Sequence, residues 1–275
     1  MTQLDLAILG GGNMGRALIG GLLRQGLRPE RICVGESRQD ARETLSHEFG
    51  IRSTADNVEA IRRANVVVIA VKPQDVQTVL APLGRQLQHS HALCLSIAAG
   101  VRTRALREWC GTGVPVIRAM PNRPALLGAG ISGLFAAPEV AATHYALAEQ
   151  VMRSVGEIVR VDTEDALDVV TALSGSGPAY FFRLAELMAQ AGTDLGLPPQ
   201  AARRLAIATL HGAGLLAHAG DGDLARLRQE VTSKGGTTEA ALRTLDAAGI
   251  AGIVSRAIQA AARRARELAA ELGPT

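Results

Sequence analysis

Aromatic residues are scarce in this chain: 3% of 275 positions, with one tryptophan, two tyrosines and four phenylalanines. Its core must be filled by aliphatic and alanine side chains, which suits helices packed at close range. Lysine is rarer still. Lys72 and Lys234 are the only two, so the formal charge of +3 and the pI near 9.0 come from arginine. No basic run is interleaved with aromatics, and no nucleic-acid partner is expected. The three cysteines, Cys33, Cys94 and Cys110, lie far apart in or beside apolar runs. That arrangement predicts buried free thiols in a reducing cytoplasm, not disulfides or a zinc site. Gly, Arg or Pro breaks every apolar stretch before the ~18–20 residues that a membrane helix needs. No basic head with an apolar segment precedes the first strand, so neither a membrane span nor a signal peptide is expected.

Glycine, by contrast, is plentiful, and its placement is informative. Leu4, Leu6, Ile8 and Leu9 form a short apolar strand. Behind it, Gly10, Gly12 and Gly15, with Asn13 and Met14 between them, fall on the G-x-G-x-x-G spacing at the start of an Ala/Leu/Ile-rich helix. In the strand–turn–helix setting this is a dinucleotide-binding fingerprint: the glycines allow a tight turn and close approach of a pyrophosphate, and the helix N-terminus supplies unpaired N–H groups. The helix should end near Gly26 and Pro29, before a strand over residues 31–35. At its end an acidic residue would bind the ribose of NADH, and an arginine would accommodate the extra phosphate of NADPH. Glu36 takes the first role. Ser37 and Arg38 could take the second if Glu36 turns away, so the cofactor is NADPH or NADH, with a slight lean to NADPH. Arg38 could equally begin the next helix in solvent.

Helix 39–49, strand 50–53 and helix 58–63 follow, with Asp56-Asn57 as cap and Asn57 also a possible cofactor contact. Asn65 to Val71 is an unbroken, largely β-branched run, as expected for a strand buried on both faces of a parallel sheet. It stops at Lys72-Pro73. The pattern predicts one helix over 75–86, strand 92–96 with the small loop Ala98-Ala99-Gly100, strand 114–120 and strand-like turns around 151–161. This alternation implies an α/β, doubly wound sheet. Beyond Asp162 the chain reads as successive helices, over 164–173, 179–195, 200–219, 224–231 (capped by Asp221 to Asp223), 238–248 and 250–272. The expected domains are 1–164, which binds the dinucleotide, and 165–275, all-helical. So alanine-rich a segment should complete its core only against a second copy.

Val231 to Leu242 is the most distinctive stretch. Gly235 and Gly236 form a loop whose amides can point inward, Ser233, Thr237 and Thr238 bring hydroxyls, and a helix begins beside them. This is a nest suited to a carboxylate, although the same threonines ahead of Glu239 would also make an ordinary helix cap. Leu173 to Pro178 reads as a second Ser/Gly loop that could share its pocket. The six histidines lack the partners of a metal site, and no metal is expected. With few acids to protonate an alkoxide, and no lysine over 179–195, the chain fits imine reduction better than carbonyl reduction.

Gly10 to Gly15, Ala70-Val71-Lys72-Pro73-Gln74, Arg118-Ala119-Met120-Pro121-Asn122, Leu173 to Tyr180 and above all Thr232 to Thr238 together resemble the pyrroline-5-carboxylate reductases, over essentially the whole chain. The resemblance implies an N-terminal Rossmann-like domain and an all-α C-terminal dimerisation and substrate domain, in a homodimer that can build larger rings. It implies NAD(P)H-dependent reduction of a small cyclic imine to proline, the last step of proline biosynthesis. Another cyclic imine carboxylate, or a non-catalytic dinucleotide-binding role, is the alternative. On this reading the nicotinamide lies near Ala70, Lys72, Pro73, Ala99 and Gly100. The substrate carboxylate sits on Ser233, Gly235, Gly236 and Thr237, and Thr238 bonds the ring nitrogen as the catalytic group. Arg123 and Lys234 depart from the family's usual Thr and Pro.

Overall fold

The computed structural model describes residues 4–220 and 222–272. Residues up to Ser176 together with those from Ala261 onward form one compact unit, and Gly177–Ala260 form another.

The first unit is built on an eight-stranded sheet: β1 (Leu6–Leu9), β2 (Ile32–Gly35), β3 (Arg52–Thr54), β4 (Val66–Ile69), β5 (Leu93–Ser96), β6 (Val116–Met120), β7 (Gly130–Ala136) and β8 (Gly156–Arg160). The spatial order is β3-β2-β1-β4-β5-β6-β7-β8, and every neighbouring pair is parallel except β6 and β7. The crossover from β3 to β4 places β1 and β4 side by side, with Leu9 opposite Ile69. In such sheets the ligand crevice opens at the carboxyl ends of the strands flanking this reversal.

Side-chain alternation explains why the central strands β1 and β4 carry no polar residue. Leu6 and Ile8, Val66 and Val68, and Leu93 and Leu95 enter one core layer, packed with α1 (Asn13–Arg24), α2 (Gln39–Phe49) and α7 (Ala142–Arg153). Ala7 and Leu9, Val67 and Ile69, and Cys94 enter the other, beneath α3 (Asn57–Ile61), α4 (Val76–Leu80), α5 (Gly84–Ser90) and α6 (Thr103–Cys110). Both faces are covered, so successive residues must all be apolar.

Several expected elements differ. The single helix over 75–86 is broken into α4, a 3-10 turn at Ala81–Leu83 and α5, because Pro82 has no N–H to donate to the preceding turn. Helix α6 went unread, although it buries Thr103, Ala105, Leu106, Trp109 and Cys110. So did β7, whose glycines dilute the strand signal; a side chain at Gly133 would strike Val170 at 2.8 Å. Residues 151–153 end helix α7, and only 156–160 are strand.

After β8 come α8 (Ala166–Val170) and a π-helical turn at Thr171–Gly175, not a Ser/Gly loop. Its hydroxyls are spent locally: Thr171 donates to the Leu167 carbonyl at 2.7 Å and Ser174 to the Val170 carbonyl at 3.0 Å. Contacts of α8 with β6 and β7 put residues up to 176 in the first unit, so the compact-unit division falls later than residue 164.

The second unit contains α9 (Gly177–Asp194), α10 (Pro199–Ala219), α11 (Leu224–Glu230), α12 (Thr237–Ala247) and the first half of α13 (Ile250–Glu271). Helices α9 and α10 pack closely, with Gly192 facing Ala202 and Leu197. Asp223 caps α11 by accepting from the Arg226 N–H at 3.0 Å; Asp221, expected to share that cap, lies outside the described residues. Only Ala202 and Ala206 are buried among this unit's described hydrophobic residues. Phe181, Phe182, Leu187, Met188, Ile207 and Leu216 are each about half exposed or more.

Candidate functional site

The glycine turn joins β1 to α1. Gly10 has a φ of +107°, and a Cβ there would lie 2.8 Å from the Ala70 carbonyl oxygen, so no other residue fits. A Cβ at Gly12 would meet nothing within 4 Å: this is the open side of the turn, where a pyrophosphate can reach the backbone. Helix α1 starts at Asn13 with neither a side-chain cap nor an acidic residue in its first turn. Its N–H groups remain available to an anion. Asn13 is exposed, Met14 half-buried and Gly15 buried. The cradle fits a dinucleotide.

At the end of β2, Glu36 does not turn away. Its carboxylate accepts the Gly11 N–H at 3.0 Å on one oxygen and the Arg38 N–H at 3.0 Å on the other. The side chain is only 12% exposed, so a negative charge is built in beside the turn. Ser37 and Arg38 are exposed, and the Arg38 guanidinium pairs with Asp40 at 3.5 Å and with Glu36 at 3.7 Å. Asp56, not Asn57, caps α3 by accepting the Val58 N–H at 2.8 Å. Asn57 is the first helical residue, and its amide oxygen lies against Gly35, where any Cβ would collide.

The carboxyl ends of β4 and β5 bring together Ala70, Lys72, Pro73, Ala99 and Gly100. Ala70, Pro73, Ala99 and Gly100 are half-buried and Lys72 exposed. Gly100 also meets the last turn of α13, where Ala269 and Leu272 pack against it.

Next to this end is a charge network that the sequence did not reveal. One oxygen of Glu164 accepts the Thr103 N–H at 2.6 Å, the Thr103 hydroxyl at 2.7 Å and an Arg118 N–H at 2.8 Å. Arg102 donates to Asp165 at 2.8 Å and to the buried Asp168 at 2.6 Å. Burial pushes the Glu164 carboxyl up, but Thr103 and Arg118 outweigh it and hold it below the usual carboxylate range. Burial draws the Arg118 guanidinium down, against the pull of Glu164. No local signal marks this cluster, because its hydrogen-bonded partners lie 46 to 66 residues apart in sequence.

The second unit carries the Ser/Gly/Thr loop. Gly236 is the N-cap of α12 and no side chain caps it, so Thr237 and Thr238 are helical residues rather than caps. Two of the expected anion donors are engaged within the loop: the Gly235 N–H donates to the Glu239 carboxylate at 2.7 Å, and the Gly236 N–H to the Ser233 carbonyl at 3.0 Å. The first-turn amides of Thr237 and Thr238 have no intrahelical acceptor. Thr238 is half-buried, whereas Ser233, Lys234, Gly235 and Thr237 are exposed. Arg123, the other departure, is also exposed and opens a 3-10 turn. Among the described residues, no group of three His, Cys, Asp or Glu gathers with metal-ligand geometry. No helix among them is long and apolar enough to cross a membrane.

Two family profiles match parts of the chain. A family profile described as pyrroline-5-carboxylate reductase dimerisation matches residues 164–268, and one described as NADP oxidoreductase coenzyme F420-dependent matches residues 5–100. A pyrroline-5-carboxylate reductase of Pseudomonas aeruginosa is 42% identical over 99% of this chain and 100% of its own length, and one of Vibrio alginolyticus is 39% identical over 98% of both. The solved structure of a pyrroline-5-carboxylate reductase from Coxiella burnetii superposes with a TM-score of 0.94 at 38% identity, covering 100% of both chains. The Plasmodium falciparum pyrroline carboxylate reductase, solved with NADP bound, gives a TM-score of 0.82 at 26% identity, covering 98% of this chain and 99% of its own.

Proposed function

We infer the reaction from the premise that the chain belongs to the pyrroline-5-carboxylate reductase family: it reduces L-1-pyrroline-5-carboxylate to L-proline with NAD(P)H, the closing step of proline biosynthesis. The observation that carries this reading is full-length identity of 42%, joined to a glycine turn that fits a dinucleotide and a Ser/Gly/Thr loop at an open helix end.

Bound NAD(P)H supplies the hydride. The backbone around Gly10, Gly12, Asn13, Met14 and Gly15 holds the pyrophosphate. Glu36, Ser37, Arg38 and Asn57 border the adenosine ribose, and Ala70, Lys72, Pro73, Ala99 and Gly100 border the nicotinamide. The inward carboxylate of Glu36 favours the free ribose hydroxyl of NADH over a phosphate. In the nest, Ser233 and the amides of Gly235, Gly236 and Thr237 take the substrate carboxylate, with the Glu239 and Ser233 contacts giving way to it. Thr238 orients the ring nitrogen through its hydroxyl. An iminium already accepts hydride readily, so positioning and electrostatics are the main demands on the chain.

The chain forms homo-oligomers. The basic unit in this reading is a dimer through the helical domain over 165–275, supported by the nearly coreless second unit. The compartment is the cytoplasm, which suits three free cysteines.

A steady-state assay of pyrroline-5-carboxylate with NADH and NADPH in parallel tests the reaction, with the six-membered ring homologue as comparison. Thr238→Ala should lower kcat/KM by about 10- to 100-fold, as loss of one positioned hydrogen bond does. Unchanged kinetics would remove Thr238 from the mechanism.

A further inference from the structure

The loop between β5 and α6 is held at both ends by groups foreign to it. At its start, the Ser96 hydroxyl accepts the Ala98 N–H at 3.3 Å, and the Ile97 N–H donates to the Ile69 carbonyl of β4. At its end, helix α6 has no cap of its own. Glu164, 61 residues further along the chain, fills that place with two hydrogen bonds from Thr103. The same oxygen receives Arg118, whose backbone pairs with Ser96 across β5 and β6. The contacts therefore close a ring: Ser96, loop 97–102, Thr103, Glu164, Arg118 and back to the strand beside Ser96. Arg102 extends it to Asp165 and the buried Asp168.

Such a ring is a costly way to hold a surface loop. It places the Arg118 side chain at 5% exposure and Glu164 at 23%, where desolvation offsets much of the attraction. An apolar contact would stabilise the fold as well, so a wholly structural role leaves the choice of charged groups unexplained. What the charges add is position: three donors converging on one oxygen fix the start of α6, and hence Ala98 to Gly100, more narrowly than packing would.

We propose that Glu164 is a positioning residue for the nicotinamide. Through Thr103 and Arg118 it sets the Ala98-Ala99-Gly100 loop as the wall against which the ring rests. This rests on the reading that the nicotinamide lies at this end of the sheet, and it adds to that reading the residue that fixes the wall. The adenosine end, at β2 and the glycine turn, lies outside the ring.

The test separates the two ends of the cofactor by equilibrium binding. NADH is titrated against the full-length protein by its own fluorescence and ADP-ribose, which lacks nicotinamide, by calorimetry, for wild type, Glu164→Gln and Thr103→Val. Both variants should weaken NADH, by about tenfold for Glu164→Gln and about threefold for Thr103→Val, and leave ADP-ribose within twofold of wild type. Thr103→Val retains the backbone N–H contact and all charges, so it carries the test if Glu164→Gln does not fold. Equal weakening of both ligands, or of neither, overturns the proposal. The outcome does not depend on turnover: failure of the wild type to reduce pyrroline-5-carboxylate would sink the proposed reaction and leave this binding split to be judged independently.

Discussion

Replacing Glu36 by glutamine changes one charge at the ribose end and leaves its shape. In the wild type the carboxylate accepts two backbone N–H groups, from Gly11 and Arg38, each at 3.0 Å. A 2′-phosphate arriving there faces one of two costs. If Glu36 stays, a carboxylate and a phosphate of roughly −1.5 charge at about 6 Å repel by about 4 kcal/mol at an effective dielectric constant of about 20, which ionic screening reduces to about 2 kcal/mol. If Glu36 swings out, it forfeits charge-assisted hydrogen bonds whose net worth is about 1.5–3 kcal/mol. Either way about 2 kcal/mol separates the cofactors, so kcat/KM should favour NADH over NADPH by about 30-fold. Glu36→Gln removes the repulsion, retains an acceptor for one N–H and frees Arg38. Its NADPH/NADH ratio of kcat/KM should rise by at least about tenfold, mostly through the KM for NADPH. The assay is initial-rate kinetics at fixed pyrroline-5-carboxylate and constant ionic strength, repeated at high salt, where the wild-type preference should narrow. A wild type preferring NADPH, or a variant with an unchanged ratio, would refute the reasoning.

Three further outcomes follow from the geometry. Glu239 holds the Gly235 amide that, under the proposed function, receives the substrate carboxylate, so Glu239→Gln should lower the KM for pyrroline-5-carboxylate by about fivefold, the equivalent of about 1 kcal/mol; a raised KM would mean that Glu239 shapes the nest rather than competes for it. Because Glu164 is held below its ordinary value near 4.5 when folded, its contribution to stability is complete above that pH and is lost as pH falls through the lower folded value. Urea titrations from pH 6 to 3 should show a shallower acid loss for Glu164→Gln than for wild type, and parallel curves would contradict the assignment. Sedimentation should show no monomer at micromolar concentration, whereas Phe182→Asp, at a position 63% exposed on α9, should shift the distribution toward monomer. An unaffected oligomer would place the interface elsewhere.

The parts of the fold legible in the sequence were those whose signal is local. β4 could be read because a two-sided buried strand needs Val66 to Ile69 with no polar break, and the glycine turn because Gly10 must meet Ala70 closely. Helix α2 was read to the residue, but the strand expected from residue 50 begins only at Arg52, because Gly50 adopts the left-handed conformation that ends the helix. β7 was missed because Gly130 and Gly133 serve contacts with other elements and weaken the strand's own pattern. The same reason hid part of the site. Glu36 and the Thr232–Thr238 loop stand out as motifs, but Glu164, Arg118 and Thr103 have meaning only once β5, β6 and the start of α6 are adjacent. The Ser174 hydroxyl looked like a ligand donor and is spent on its own helical turn.

Helix α13 leaves the second unit at residue 260 and its later residues join the first, where Ala262, Ala265 and Ala269 are buried, Ala269 and Leu272 lie against Gly100, and Leu272 packs on the core layer beside it. The dinucleotide-binding unit is thus interrupted in sequence, and its last piece is made after every residue of the helical insertion. On the ribosome the sheet can form early, but Gly100 stays uncovered until Ala269 and Leu272 have emerged. Maturation of the cofactor site should lag behind sheet formation during synthesis, and a chain stopped before residue 261 should expose Gly100 and its neighbours however well its strands have paired.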